Sequence, residues 1–296
     1  MAGIFIEFAQ FGDFDSFDIY RSLNAIDVNA LPSPIVTGLT TMYYADTAVV
    51  EGATYYYIVR VNRGAESKLS EQVKVLALQG DLYWDYVVSL MHFEEAEAGS
   101  GSKDQRAIKW TLNGTATLST TDKKMGSKSL YSPAGTANYL RSEFTNAFNF
   151  PSDGKFTMEL FFKKIDSSGN ACIIGVLGNP GGRWSFFCRA GSPFTAAIYD
   201  GATFIDARSK PLDLFTWYHL AYVKDGSSNK LFIDGVMIGS ATRATSGYLN
   251  SDIAIGQNAI GAEPFTGYID EFRITNGVAR YSEDFVPPTL PFLDGK

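Results

Sequence analysis

The sequence predicts an all-β chain built as two successive sandwiches, and three observations carry that prediction. Aromatic and turn-forming residues are abundant, with 22 Phe, 16 Tyr and 28 Gly in 296 residues, while charged residues make up only 19%. Ring side chains fit a pleated, half-buried surface, and Gly supplies turn dihedrals. Apolar residues recur at every second position in short runs, and clusters of Gly, Pro, Asp, Asn and Ser punctuate those runs. A hydrophobic content of 45% gives a core large enough for one large or two medium domains and excludes a disordered chain.

Residues 1–79 hold the candidate strands GIFIEFAQF (3–11), DIYRS (18–22), TTMYYADTAVV (40–50), TYYYIVRV (54–61) and SEQVKVLAL (70–78). The pieces FGDFDS, LPSPIVTG and NRGAES read as the turns between them. In TYYYIVRV, Tyr55, Tyr57, Val59 and Val61 line one face and Tyr56, Ile58 and Arg60 the other, which is the period of a strand. EGATYYYIVRV followed by a polar turn and SEQVKV resembles the closing strands of a fibronectin type III-like or Ig-like sandwich, with Tyr55 at the tyrosine corner. The early buried Trp of that pattern is missing, since the first Trp is Trp84. The resemblance implies a spacer or docking module over 1–79.

QGDLYWD (79–85) joins this module to a second pattern over 80–296. FTMELFF (156–162) alternates Phe156, Met158, Leu160 and Phe162 against Thr157, Glu159 and Phe161, as a sandwich strand with one face in the core should. WYHLAYVKDGSSNKLFIDGVMIG reads as two hairpins, one turning at Asp225-Gly226-Ser227-Ser228 and the next at Asp234-Gly235, a type I′ signal. SLMHFEE (89–95), a glycine-rich loop reaching Asp104, KMGSKSLYSPAGTANYLR (124–141), GKFTMELFFKK (154–164), the double hairpin, IAIGQN and GYIDEFRITNGVARYSEDFVPPTLPF (267–292) occur in that order. Together they resemble the laminin-G-like, concanavalin A-like jelly-roll domains of bacteriophage tail and virion proteins. That resemblance implies two stacked, curved antiparallel sheets.

The formal charge is −7, with five basic and nine acidic residues in 1–79, so neither part is a basic arm and nucleic acid is not an expected partner. The start, Met-Ala-Gly-Ile-Phe-Ile-Glu, has no signal-peptide pattern, and no run of about 18 apolar residues predicts membrane insertion. Synthesis in a host cytoplasm is the expectation. Cys172 and Cys188 flank GNPGGR (178–183) and are read as free, packed thiols, with a bridge left open.

Catalysis in such a fold would need two convergent carboxylates. The hydrolase pattern Glu-x-Asp-x-x-Glu is absent, Glu94, Glu95 and Glu97 run into GSGSKD as a solvated loop, and the adjacent Asp270 and Glu271 are expected on opposite faces. His92 and His219 are too few for a histidine metal centre, and His219 reads as a packed, hydrogen-bonded core residue. The chain is therefore read as a non-enzyme. By resemblance, a structural Ca²⁺ would use Asp104 and Asp270; the alternative is a strand-end hydrogen bond for Asp270 and solvation for Asp104. Tyr199 before Asp200-Gly201, with Phe204 beyond, forms the candidate carbohydrate contact at a hairpin tip, against the alternative that these rings pack in the core. Trp184 and Trp217 are read as packing residues.

The resemblance implies a virion protein of the tail or adsorption apparatus. The N-terminal module would dock on other virion proteins, and the jelly roll would contact host-surface carbohydrate. The alternatives are a capsid or tail decoration protein that cements neighbours without a sugar ligand, and a polysaccharide hydrolase. A homo-oligomer on the particle stays open.

Overall fold

The computed structural model describes residues 4–50, 52–77, 80–81, 83–97, 101–151, 153–167, 169–177, 185–190, 195–199, 204–206, 210–242, 252–258 and 262–295. It is all-β and divides into two compact units, Met1–Leu82 with Gly295–Lys296, and Tyr83–Asp294. No helix among the described residues is long and apolar enough to cross a membrane.

The first unit contains β1 (Ile4–Glu7), β2 (Ser16–Ser22), β3 (Pro34–Leu39), β4 (Tyr43–Asp46), β5 (Thr54–Arg63), β6 (Glu66–Leu69) and β7 (Val73–Leu76). One sheet runs β3-β2-β5-β6, with β7 also on β5, while β1 and β4 form a separate pair. Tyr55, Tyr57 and Val59 of β5 pack together with Ile4, Ile19 and Ala77 on one face, as the alternation predicts. Ile58 and its cross-strand neighbour Tyr20 are buried on the other, where the Arg60 guanidinium lies 5.3 Å over the Tyr20 ring. Tyr55 Oη accepts from the Val50 N–H at 2.9 Å, and Tyr57 Oη donates to Asp46 at 2.8 Å. The segment LPSPIVTG corrects the sequence reading: from Pro34 it is a strand. Proline is tolerated because β3 is the sheet edge, where one side of the ladder needs no N–H.

The second unit begins with a short 3-10 turn, Trp84–Tyr86, and has another at Asn146–Phe148. Its strands are β8 (Val87–Met91), β9 (Ala96–Glu97), β10 (Gly101–Ser102), β11 (Trp110–Asn113), β12 (Thr117–Ser119), β13 (Ser129–Ser132), β14 (Tyr139–Ser142), β15 (Lys155–Lys164) and β16 (Ala171–Leu177). They continue as β17 (Ser185–Arg189), β18 (Thr195–Tyr199), β19 (Phe204–Asp206), β20 (Tyr218–Asp225), β21 (Ser228–Ile233), β22 (Val236–Thr242), β23 (Asp252–Ile255) and β24 (Gly267–Asn276). A seven-stranded sheet runs β11-β14-β23-β16-β17-β18-β19. An eight-stranded sheet runs β12-β13-β24-β15-β20-β21-β22, with β8 on β24. Phe156, Met158, Leu160 and Phe162 of β15 enter the core between the sheets, against residues such as Ile174, Phe186 and Ile255 of the other layer. Each such side chain is stabilised by about 1.5–3 kcal/mol on burial.

Both predicted hairpins form. Asp225 pairs with Ser228 around Gly226-Ser227, and Asp234 (φ 50°) and Gly235 (φ 74°) both take the left-handed region that a type I′ turn requires. After β24 the chain crosses back over the outer face of the eight-stranded sheet as a strap. Phe285 N–H donates to Gly235 O at 2.9 Å, and Phe292 joins Val87, Leu90, Met125 and Phe161 in a second apolar cluster.

Candidate functional site

The two faces of β15 have different chemistry. On the outer face, Glu159 is buried beneath the strap and receives Arg273 through Nε at 3.0 Å and Nη2 at 2.8 Å, together with Tyr281 Oη at 2.8 Å. His219 Nε2 lies 3.3 Å from Glu159, and Arg280 Nε lies 3.8 Å away. Burial alone would raise the Glu159 carboxyl, but Arg273, His219 and Arg280 hold it well below the ordinary carboxylate range. His219 is fully buried beside the Phe161, Phe285 and Phe292 rings. The expectation of a packed histidine stands, with Nε2 turned to Glu159, while its Nδ1 has no hydrogen-bond partner among the described residues. This ionic cluster escaped the sequence reading because its members are spread from position 159 to position 281.

Asp270 and Glu271 overturn the expectation of opposite faces. The register of β15 against β24 shifts between Glu159 and Phe161, and Glu271 adopts φ 51°, so a bulge inserts an extra residue. Ile269 and Phe272 enter the core on either side, while the two carboxylates bond to groups outside it. Asp270 accepts the N–H groups of Lys124 (2.8 Å), Met125 (3.0 Å) and Glu271 (3.0 Å). Burial nevertheless pushes its carboxyl up to about 7. Glu271 holds His92 Nδ1 at 2.9 Å and the strap's Phe292 N–H at 2.8 Å.

The other sequence candidates resolve as follows. Asp104 is buried and accepts from the Ser89 hydroxyl, the Arg106 N–H (2.7 Å) and Trp110 Nε1 (2.9 Å), with the Leu90 N–H at 3.4 Å, so it is not simply solvated. Burial raises its carboxyl. The donor sets around Asp104 and Asp270 do not fit Ca²⁺, which needs converging oxygens rather than N–H groups. Among the described residues no group of three or more His, Cys, Asp or Glu is placed to hold a metal. Glu94 is not in a solvated loop: it accepts the Ser127 and Lys128 N–H groups at 2.7 and 3.2 Å. Glu95 is paired with Lys103 at 2.8 Å, and Glu97 lies in β9. Cys172 and Cys188 are free and buried. Cys172 pairs with Phe187 and Ala171 with Cys188, so the thiols sit one residue out of register on facing strands, with Cys188 in the core.

Tyr199 ends β18 half-buried, directly across from Phe204 in β19, and beside Ile198, which enters the core. Asp200 and Trp184 lie outside the described residues. Trp217 is packed against the cluster around Phe161 and donates its Nε1–H to Asp122 at 3.0 Å. A second row of side chains, not singled out by sequence, lies on the outer face of the eight-stranded sheet. Thr117 faces Tyr131, Tyr131 faces Tyr268, and Tyr268 faces Lys163, while their neighbours Leu130, Ile269 and Phe162 enter the core. The Tyr131 and Tyr268 rings stack with centroids 4.9 Å apart. Lys163 Nζ meets Asp122 at 2.7 Å; burial raises the Asp122 carboxyl, but Lys163 and Trp217 together hold it below its ordinary value.

Two packed antiparallel sheets with this strand order define a concanavalin A-like jelly roll. The Laminin_G_3 family model, described as the Concanavalin A-like lectin/glucanases superfamily, matches residues 134–283, and the chain belongs to that superfamily. No curated protein matches it in sequence. Among solved structures it is similar to the binding domain of Paraclostridial Mosquitocidal Protein 1, at 16% identity and a TM-score of 0.50 over 67% of this chain and 50% of that one. It is also similar to the Trypanosoma rangeli sialidase, at 12% identity and a TM-score of 0.50 over 75% of this chain and 40% of that one. Domain 4 of AbnA, a GH43 extracellular arabinanase from Geobacillus stearothermophilus, solved in complex with arabinotriose, matches at 20% identity and a TM-score of 0.49 over 65% of this chain and 93% of that one. The chain thus spans half or less of the first two. The likenesses to the mosquitocidal protein domain and the sialidase show the fold alone.

Proposed function

We propose that the chain is a bacteriophage virion protein of the tail or adsorption apparatus, whose jelly roll holds host-surface carbohydrate without cleaving it. The observation that carries the choice of contact over cleavage is the state of the carboxylates. Glu159 is bound by Arg273 and Tyr281, Asp270 and Asp104 by backbone or side-chain donors, Glu94 by a turn, and Glu271 by His92 and the Phe292 N–H. A hydrolase needs one carboxyl free to give a proton and another facing the reacting carbon or its water. These five already serve the fold.

The half-buried ring of Tyr199, across from Phe204 at the β18–β19 end of the seven-stranded sheet, supports the sugar contact, as does the superfamily. Assignment to a virion rests on the resemblance of GVARYSEDFVPPTLPF and the segments before it to phage domains. Residues 1–79 are read as a fibronectin type III-like docking module for other virion proteins; the Tyr55 to Val50 hydrogen bond, of the kind a tyrosine corner makes, supports that part. Several copies on one particle would turn weak sites into avidity.

The test is a glycan array probed with the labelled full chain clustered on beads, with a parallel assay for reducing ends on every polymer that binds. Saturable binding without product is the expected result. Sustained release of reducing ends would replace this reading with a hydrolase, and an empty array would replace it with a cementing protein. Antibody against the chain should decorate the tails of purified particles.

A further inference from the structure

We propose that the row Thr117, Tyr131, Tyr268 and Lys163, with the neighbouring Lys123 and Lys124, is a binding shelf for an acidic polysaccharide. This deepens the carbohydrate reading and rests on it, but places the contact on the other sheet from Tyr199. Tyr131 is half-buried and stacked on Tyr268, itself only 9% exposed, so its ring is backed by a rigid neighbour and loses little freedom when a second flat body packs on it. Thr117, exposed on the edge strand, is too small to cover it.

Charge selects the ligand. In a chain of net charge −7, residues 122–128 carry Lys123 and Lys124, both exposed, and neither is ion-paired among the described residues. Of the acids beside this segment, Asp122 is engaged by Lys163 and Trp217, Asp270 by backbone N–H groups, and Glu94 by Ser127 and Lys128. Asp270 fixes the Lys124 and Met125 backbone, and Asp270 lies two residues from Tyr268 on the same strand, so the segment that carries both lysines is anchored beside the strand of Tyr268. The Lys124 Nζ lies 5.4 Å over the Phe161 ring. A sugar ring against Tyr131 with its acid group toward Lys123 and Lys124 satisfies both the aromatic and the electrostatic surface.

Affinity electrophoresis of the full chain in gels containing polygalacturonate, alginate or hyaluronate, with dextran as the neutral polymer, tests this when mobilities are taken relative to polymer-free gels. Retardation by at least one acidic polymer beyond that by dextran is expected, weakening as salt rises. The double variant Lys123→Glu/Lys124→Glu, at exposed positions, should weaken binding by about tenfold or more, and Tyr131→Ala by about tenfold, with melting of each checked separately. Lys109→Glu, at an exposed lysine beside β11 of the other sheet, should bind as the parent does. Equal binding by parent and lysine variant, or loss only with Tyr199→Ala, would overturn the shelf and leave the carbohydrate reading standing. No retention by any polymer, acidic or neutral, together with an empty glycan array, would overturn both.

Discussion

Glu159 keeps its charge in a fully buried position because Arg273 and Arg280 enter the same space and Tyr281 donates to its second oxygen. Replacing it by Gln retains shape but leaves two guanidinium groups without their counter-charge, and breaking a buried pair from one side costs about 3–5 kcal/mol. Glu159→Gln should therefore shift the urea midpoint of the jelly roll sharply, whereas Glu95→Gln, at an exposed pair, should leave it unchanged. Two buried carboxyls also pull the pH dependence in opposite directions. Glu159 is held below its ordinary 4.5, so its contribution is present above that pH and is lost as acid protonates it. Asp270 is raised from 3.8 to about 7, so the folded state binds the proton more tightly and this site's contribution falls as pH rises between those values. Asp270→Asn cannot ionise and should flatten the stability profile between about pH 4 and 7 while leaving the acid limb; an unchanged slope in urea titrations across that range would refute the assignment.

Elements that depend on neighbours in sequence were legible before the structure. The alternation of β15 and the turns at Gly226 and Asp234-Gly235 required only a period of two and glycine's tolerance of positive φ. What sequence missed depends on distant partners. Pro34 sits in a strand because that strand is an edge, and Asp270 and Glu271 share a face because of a bulge set by pairing with β15. The two hairpin glycines separate local strain from packing. Gly226 has φ 58° and open space where a Cβ would be, so Gly226→Ala should cost about 1–2 kcal/mol from backbone strain alone. Gly235 has φ 74°, and a Cβ there would fall 1.8 Å from the Phe285 carbonyl oxygen of the strap. Gly235→Ala should cost clearly more than Gly226→Ala, because the strap must move as well. Chemical denaturation of the two variants side by side checks this, and equal losses would show that the strap is not seated at the turn.

At the scale of the molecule, each apolar cluster closes within one unit. The cluster of Ile4, Ile19, Tyr55, Tyr57 and Ala77 belongs wholly to the first, and those built around Phe162, Phe161 and Phe232 belong wholly to the second. The Glu159 cluster and the strap also begin and end inside Tyr83–Asp294. Sequence placed a division near residue 80 from the change of strand pattern, but it could not show that the last apolar strap residue, Phe292, fills a cluster with Val87 and Leu90 from the opposite end of the unit. That closure makes the ends of the second unit interdependent. A fragment of residues 83–294 should fold cooperatively on its own, with retained near-ultraviolet circular dichroism, because its whole core travels with it. Ending the same fragment at Asn276 removes Tyr281, Phe285 and Phe292, and exposes a charge cluster together with an aromatic sheet face. That shorter piece should lose near-ultraviolet signal and bind a hydrophobic dye while keeping strand content. Within 83–294, Leu160→Ala should cost about 2–5 kcal/mol, the same as in the full chain, since its cavity opens between the two sheets of that unit alone. A larger loss in the fragment than in the full chain would mean that the core is not closed within residues 83–294.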